Sequence, residues 1–156
     1  MTTTHFTPWV KVITAPTMAQ VREHWAALAP DYDMVEWRLD CLAYLDEAAI
    51  AELCQASPVP VILTLRTIQQ GGHAMLDDDA YAKAILRLAK LAPDYLDCQA
   101  PLPVETLTQL QACAPQTRLI YAQHFLGGPP ACWSTVLQAM RHPAVYAYKL
   151  VLGDVS

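Results

Sequence analysis

The sequence is short of the features that mark membrane, secreted and nucleic-acid-binding proteins. No apolar run among its 156 residues approaches the roughly 20 residues needed to cross a bilayer. The opening MTTTHFTPW has neither the basic nor the apolar region of a signal peptide. The net charge of −5 supplies no general attraction for nucleic acid or an anionic membrane, although a local basic pocket can still bind a small anion. We therefore predict a cytoplasmic protein without a nucleic-acid or membrane partner.

The cysteines are widely spaced and follow no motif. Their five positions are Cys41, Cys54, Cys98, Cys113 and Cys132, an odd number with no CxxC pair. This pattern indicates neither a disulfide framework nor a zinc site, and buried free thiols are the expectation. Because GxGxxG and P-loop motifs are also missing, nothing marks a nucleotide-binding fold.

What the sequence does contain is a regular alternation of short apolar runs and helical patterns. With 54% hydrophobic residues, the chain is expected to fold as one domain over 1–156. The predicted strands span 9–15, 34–39, 58–66, 94–99, 118–123 and 145–152. The predicted helices span 18–28, 46–56, a segment beginning near 78, 104–114 and about 132–140.

Six strands alternating with five helices predict a parallel α/β sheet. Several strands are almost entirely apolar, as expected when both faces of a sheet are covered. Two architectures fit this pattern: an open doubly wound sheet, or a segment of a (β/α)8 barrel. Periodicity alone does not choose between them.

Charged residues interrupt two of the apolar strands. Glu36 and Arg38 lie two apart in MVEWRL, so their side chains share one face of the strand while Trp37 points the other way. They either pair with each other or jointly bind a hydroxylated, anionic ligand. Lys149 lies in VYAYKLVL, where it must extend to solvent, pair, or lose its charge. A desolvated lysine amine is a nucleophile.

Two further candidates stand at strand ends. Arg66 ends the third strand just before Gly71 and Gly72, and its fork of donors suits a carboxylate, although a lone strand-end arginine is commonly exposed. His124 follows the fifth strand directly and is placed for proton transfer, unless it is an ordinary loop histidine. In a parallel barrel the carboxyl ends of all strands meet on one rim, so the barrel would bring these candidates together. A group of cations with a histidine and a strand lysine suggests imine chemistry on an anionic ketone.

These segments resemble a known family. VEWRLD, ILTLRT followed by Gly-Gly, YLDCQ, the strand end at His124, and YKLV occur in the order and spacing of type I 3-dehydroquinate dehydratases. The resemblance extends from Val10 to about Leu152. It implies a TIM-type (β/α)8 barrel, here with about six βα units and no counterpart of strands 7 and 8. It also implies that no metal and no organic cofactor is used.

The resemblance further implies a reaction, in which 3-dehydroquinate is dehydrated to 3-dehydroshikimate. Lys149 matches the lysine that forms an imine with the substrate ketone. His124 matches the histidine that removes the α-proton and later protonates the leaving hydroxyl. Glu36, Arg38 and Arg66 match residues that bind the substrate. A protonated imine is an electron sink that stabilises the developing carbanion.

The sequence departs from the family pattern at three positions. Gln70 stands where an acid usually supports the histidine, and Gln99 stands where the fourth strand usually carries a glutamate. Phe125 follows His124 where an aspartate is common. A neutral Gln70 is expected to support an imidazolium less well than a carboxylate would, which slows proton transfer.

The absence of strands 7 and 8 leaves three interpretations open. The chain is a dehydratase, a non-catalytic relative that keeps the scaffold and binds a small hydroxy acid, or a truncated product of a longer gene. In each case strands 1 and 6 present unpaired edges, which favour association, and a homodimer is the expected form.

Overall fold

The computed structural model describes residues 8–28 and 31–153, and every structural statement below concerns those residues. It contains six strands: β1 (Val10–Ile13), β2 (Met34–Arg38), β3 (Val61–Thr64), β4 (Tyr95–Gln99), β5 (Arg118–Phe125) and β6 (Val145–Leu152). The five α-helices between them are α1 (Met18–Ala26), α2 (Glu47–Ala56), α3 (Asp78–Ala89), α4 (Val104–Cys113) and α5 (Trp133–Met140). The predicted alternation is confirmed, and β6 has the predicted limits.

Side-chain caps explain where three helices begin. Thr17 Oγ1 accepts a hydrogen bond from the Gln20 amide at 3.3 Å before α1. Asp46 and Asp77 act in the same way before α2 and α3, accepting from backbone amides at 3.0 and 2.8 Å. Such caps satisfy amides that have no partner within the helix, so these starts are readable from the sequence.

The order of the strands decides between the two predicted architectures. All neighbouring strands are parallel, and they follow one another as β1-β2-β3-β4-β5-β6 without a reversal. A doubly wound sheet reverses its order at a switch point, whereas a barrel adds each strand next to the previous one. The fold is therefore of the barrel type, and the described residues contain six of the eight strands of such a barrel.

The sheet curls strongly toward its inner face. Lys149 Nζ on β6 lies 3.5 Å from Glu36 Oε2 on β2. These two strands are four positions apart, and at about 4.8 Å per strand a flat sheet would separate them by roughly 19 Å. The six strands thus form a half-barrel whose concave side faces inward. Within the described residues, β1 and β6 each have a single neighbouring strand.

The hydrophobic core lies between the outer face of the sheet and the helices. It buries alternate residues of the strands, including Trp37, Leu63 and Leu96, against helix residues such as Ile50 and Ile85. Trp37 also packs edge-on against Trp25 of α1, with ring centroids 5.5 Å apart. None of the described helices has the length and apolar character required to cross a membrane.

The prediction for the cysteines is wrong in part. All five are free thiols, but Cys98 alone is fully buried, because it faces the core from β4. Cys41 and Cys54 are half-buried, and Cys113 and Cys132 are exposed. The general tendency of free cysteine toward burial therefore does not decide these individual positions.

Candidate active site

The inner face of the half-barrel has an apolar lower level and a polar upper level. Toward the amino ends of the strands the residues that line the inner face are apolar: Met34, Ile62, Tyr95, Ile120 and Ala147. One step of the alternation further along, the inward positions become largely polar: Glu36, Thr64, Asp97, Ala122 and Lys149. The lower level lines a cavity of about 510 Å³, and Glu36 and Lys149 stand at its upper boundary.

Lys149 turns its amine into the site. Its Nζ donates to Asp97 Oδ2 at 3.1 Å and to Glu36 Oε2 at 3.5 Å, and 34% of its side chain remains exposed. The alternative of a lysine that extends outward from an edge strand is therefore wrong for this residue. The amine is held near the middle of the concave face and is open on one side.

Asp97 is a site residue that the sequence interpretation missed. It lies in the middle of β4, is 2% exposed, and accepts from both Lys149 and Arg66. A charged residue within the apolar run YLDCQ carries the same signal that identified Glu36 and Lys149, so the sequence could have identified it. A buried carboxylate needs such partners, because an unpaired charge is very costly away from water.

Arg66 lies two residues beyond the end of β3 and is 6% exposed, so the alternative of a solvated surface arginine is wrong. Its NH2 donates to Asp97 Oδ1 at 3.1 Å, and its NH1 contacts the ring of His124. The following loop folds back on it, since Ala74 N donates to the Arg66 carbonyl at 3.0 Å. A side chain at Gly72 would clash with that carbonyl, which explains why glycine stands there.

Glu36 and Arg38 share the inner face as predicted, but each has a different partner. Arg38 forms a two-point salt bridge with Asp40, at 2.9 Å from Nε to Oδ1 and 2.7 Å from NH2 to Oδ2. Glu36 instead accepts from Thr64 Oγ1 at 2.9 Å and pairs with Lys149. Burial would raise the pKa of Asp40, but the hydrogen bond and charge of Arg38 outweigh it and lower that pKa.

His124 lies within β5, which extends two residues further than predicted, and its ring projects into the same group of side chains. Its Nδ1 lies 3.3 Å from Gln70 Oε1, and Arg66 NH1 contacts both ring nitrogens. A guanidinium can only donate and an amide oxygen can only accept. The arrangement therefore favours a neutral ring with its proton on Nδ1 and its lone pair on Nε2 directed at Arg66.

The electrostatic environment keeps His124 neutral. Burial, followed by the positive charges of Arg66 and Lys149, lowers the pKa of His124 to about 4 from a reference value of 6.5. Gln70 contributes no negative charge that would offset these effects. A neutral imidazole is the form that removes a proton, so at neutral pH this histidine is a base rather than an acid.

Two glutamines brace the upper rim of the site. Gln70 accepts from the backbone amide of His124 at 3.2 Å and donates to the Ala100 carbonyl. Gln99 Oε1 accepts from the amide and the hydroxyl of Thr67 at 3.1 and 2.9 Å, which holds the loop that follows Arg66. Both side chains are thus committed to positioning the neighbouring residues.

One group of side chains brings potential metal ligands together. Donor atoms of Asp40, Cys41 and His73 lie within 4.8 Å of one another. Both Asp40 oxygens already accept from Arg38, and they also accept from the amides of Arg66 and His73 at 3.3 and 3.1 Å. With its lone pairs engaged in this way, Asp40 is poorly suited as a metal ligand, and we assign no metal to this group.

The site therefore brings together all six residues that the sequence predicted, and it adds Asp97 and Asp40. Three cationic side chains (Arg38, Arg66 and Lys149) are matched by three carboxylates (Glu36, Asp40 and Asp97). A primary amine and a neutral imidazole stand on adjacent strands, in register at Ala122–Lys149 and His124–Val151. Such a pair can form an imine with a carbonyl compound and move a proton next to it.

Comparisons with known proteins point to one family. The profile of the family described as Type I 3-dehydroquinase matches residues 10–152. Among curated proteins, a 3-dehydroquinate dehydratase of Streptococcus suis is 43% identical over 70 residues, which cover 42% of this chain and 30% of that protein. A pentafunctional AROM polypeptide of Malassezia globosa is 26% identical over 151 residues, covering 90% of this chain and 9% of the other.

Solved structures agree with this match. The 3-dehydroquinate dehydratase of Enterococcus faecalis superposes with a TM-score of 0.79 at 25% identity, covering 93% of this chain and 65% of that chain. A dehydroquinate dehydratase and shikimate dehydrogenase from S. pombe AroM shares the fold with a TM-score of 0.80 at 22% identity, over 98% of this chain and 32% of the other. The chain thus spans about a third to two-thirds of the length of these relatives, apart from the far longer AROM polypeptide.

Proposed function

The chain belongs to the type I 3-dehydroquinase family, and on that premise we propose that it dehydrates 3-dehydroquinate to 3-dehydroshikimate through a Schiff base on Lys149. The observation that carries the proposal is the position of Lys149 beside His124 on adjacent strands of one concave face. The shikimate pathway or quinate catabolism is the proposed setting, and the cytoplasm the proposed location, which cell fractionation tests.

The first step is formation of the imine. The neutral Lys149 amine adds to the ketone carbon, and the resulting carbinolamine loses its hydroxyl as water, which leaves a protonated imine. In the resting arrangement the amine is engaged by Asp97 and Glu36, so it passes a proton to Glu36 before it attacks, and that carboxyl returns the proton to the hydroxyl that leaves as water. Its open side is where the ketone approaches.

The second step is loss of water from the substrate ring. His124 removes a proton from the carbon next to the imine, and the electron pair moves into the imine to give an enamine. The enamine expels the β-hydroxyl, to which His124 returns the proton, and hydrolysis of the imine releases the product and Lys149. The net change is the loss of one water molecule, with no oxidant or reductant required.

Arg66 links substrate binding to the histidine. In the resting site the lone pair of His124 faces the Arg66 guanidinium, so the base is occupied. An anionic substrate that takes up the NH1 donor of Arg66 frees the lone pair, while NH2 stays paired with Asp97. Arg38 and Glu36 complete the binding side of the site, where Glu36 suits a substrate hydroxyl.

Gln70 fixes the ring of His124 without supplying charge. Its oxygen lies within reach of both the backbone amide and Nδ1 of His124. This orients Nε2 toward the substrate side, as a carboxylate would. It does not stabilise the imidazolium that forms when His124 holds the proton, so we expect turnover to be slow.

A second candidate function is ligand binding without turnover. It is favoured by the resting contacts themselves, since Lys149 is paired with two carboxylates and His124 with Arg66. In that case the site binds small hydroxy acids but neither forms the imine nor releases 3-dehydroshikimate. A dissociation constant for quinate, together with the assay below, separates the two candidates.

The deciding experiment measures both product and intermediate. The purified chain is mixed with 3-dehydroquinate, and the enone absorbance of 3-dehydroshikimate is followed. A second sample is treated with borohydride and digested for mass spectrometry. We expect a reduced adduct on the peptide that contains Lys149, and none in Lys149→Ala. Absence of product and adduct, or an adduct that survives Lys149→Ala, would refute the proposal.

We also propose that the chain forms a homodimer through the strand edges of the half-barrel. Within the described residues β1 and β6 have one strand neighbour each, and Val12, Tyr146 and Leu152 on them are exposed. Open edges with exposed apolar side chains favour association. Sedimentation equilibrium tests this directly, and a well-folded monomer at all concentrations would contradict it.

A further inference from the structure

We propose that Asp97 is a positioning residue that holds Lys149 and Arg66 in a fixed relation to each other, and that it stays paired with the Lys149 nitrogen through imine formation. This inference rests on the proposed function. It assigns a role to a residue that neither the sequence interpretation nor the family match had singled out.

The geometry divides the two oxygens of Asp97 between two cations. Oδ1 accepts from Arg66 NH2 and Oδ2 accepts from Lys149 Nζ, both at 3.1 Å. The three residues come from three different places in the half-barrel: the segment just beyond β3, the middle of β4 and the middle of β6. Asp97 is therefore the one described side chain that contacts both the nucleophile and the proposed anion-binding guanidinium.

Burial makes the contacts of Asp97 with Arg66 and Lys149 rigid. Asp97 is 2% exposed, Arg66 is 6% exposed, and register places Asp97 between Thr64 and Ile120 on the neighbouring strands. Removing one partner of a buried ion pair leaves the other charge buried without a partner, which is strongly unfavourable. Glu36 holds Lys149 less closely, at 3.5 Å, and shares its oxygens with Thr64. Asp97 is thus the principal anchor of the Lys149 amine.

The chemistry gives this anchor a continuing purpose. The nitrogen of Lys149 carries a positive charge as an ammonium before the reaction and again as a protonated imine after water has left. A carboxylate next to that nitrogen compensates the charge in both states without being consumed. Because the same carboxylate holds Arg66, the distance between Lys149 Nζ and the Arg66 guanidinium is fixed before substrate binds. That distance suits one class of substrate, a keto acid whose ketone and carboxylate are separated by a matching length.

The test uses two measurements on Asp97→Asn, which keeps the shape and removes the charge. The first is the acetylation rate of Lys149 by acetic anhydride, read by peptide mass spectrometry with the exposed Lys83 and Lys90 as internal references. We expect Lys149 to react severalfold faster once it is released, since a neutral amine is the attacking form. The second is borohydride trapping with 3-dehydroquinate, which we expect to fall by about a hundredfold when the two groups lose their alignment.

Asp94→Asn is the matched control, because Asp94 is an exposed carboxylate just before β4 that accepts from the Val61 amide at 2.9 Å. It should leave both rates near wild type. Asp97→Glu keeps the charge but moves it by one methylene, so it should keep Lys149 protected and still slow the trapping. This second variant decides the matter if Asp97→Asn does not fold.

The outcomes separate the inference from the function on which it rests. Unchanged acetylation of Lys149 in folded Asp97→Asn, or wild-type trapping in Asp97→Glu, overturns the role of Asp97 while the dehydratase proposal stands. No wild-type adduct with faster acetylation in Asp97→Asn refutes the Schiff base and leaves Asp97 as the residue that holds the lysine.

Discussion

The outer face of the sheet buries Trp37, Leu63 and Leu96 against the helices, whereas the inner face of the same strands carries Thr64 and Asp97 only one residue away. The two faces share a backbone and differ in what they do. On the outer face, removal of apolar surface from water stabilises the fold. On the inner face, buried charges need partners and add little net stability.

This contrast shows how a half-barrel can hold a reactive site. His124 and Asp97 project from strands whose other side buries Tyr121, Leu96 and Cys98 in the core, so these two side chains have a rigid support. The proposed function is therefore concentrated on the face that contributes least to folding. Substitutions on the two faces should consequently separate activity from stability.

The largest expected effect is on the inner face, from His124→Ala. We expect dehydration to slow by about 10²–10⁴-fold, the usual contribution of a general acid–base group. The borohydride adduct on Lys149 should persist, because imine formation precedes the proton removal. Enone absorbance measures the first effect and peptide mass the second. A variant that keeps wild-type turnover would remove His124 from the mechanism.

The next effect is on the outer face, from Leu63→Ala. Leu63 is fully buried in the core, so we expect the free energy of unfolding to fall by about 2–5 kcal/mol. Its neighbour Ile62 lines the inner cavity, and Ile62→Ala should cost less because that side is already open. Urea unfolding of both variants measures the difference. Equal losses would break the distinction between the two faces.

A smaller effect is expected from Gln70→Glu. A carboxylate beside Nδ1 stabilises the imidazolium, so we expect the pKa of His124 to rise from about 4 by roughly one unit. Histidine resonances followed by NMR across the pH range report this value directly. Turnover should increase with it. An unchanged pKa would show that Gln70 does not act on the ring.

The smallest effect concerns acid stability. His124 has a folded pKa of about 4, below the 6.5 of an unfolded histidine. As the pH falls from about 6.5 to 4, His124 therefore binds a proton in the unfolded chain but not in the folded chain. The free energy of unfolding decreases as a result. The same titration in His124→Asn should show a shallower decrease over that window. Parallel curves would contradict the assignment.

Much of the fold was predictable because its signals are local. Strand alternation, the cap at Thr17, and the full extent of β6 all follow from short stretches of sequence. The inner face of β2 was also predicted, since Glu36 and Arg38 are two residues apart. The partners of these side chains were not, because Asp40 competes for Arg38 through a two-point salt bridge that spacing alone does not reveal.

Asp97 combines a feature that the sequence shows with contacts that only the tertiary structure shows. Its position within an apolar strand was visible, but its importance depends on contacts with Arg66, 31 residues away, and Lys149, 52 residues away. The exposed or buried state of the cysteines likewise followed from the packing of the individual strands, helices and turns that carry them. Residue type gave an average tendency that the tertiary structure then overruled for four of the five.

The sequence by itself determined that this chain is a parallel α/β protein with a lysine, a histidine and two arginines in its strands or just beyond them. It did so because hydrophobic alternation and helix capping act over a few residues. Only the tertiary structure decided that the sheet curls, that Lys149 contacts Glu36 from 113 residues away, and that Asp97 is shared between Arg66 and Lys149. Charge pairing depends on distance in space, and that distance exists only after the sheet has curled.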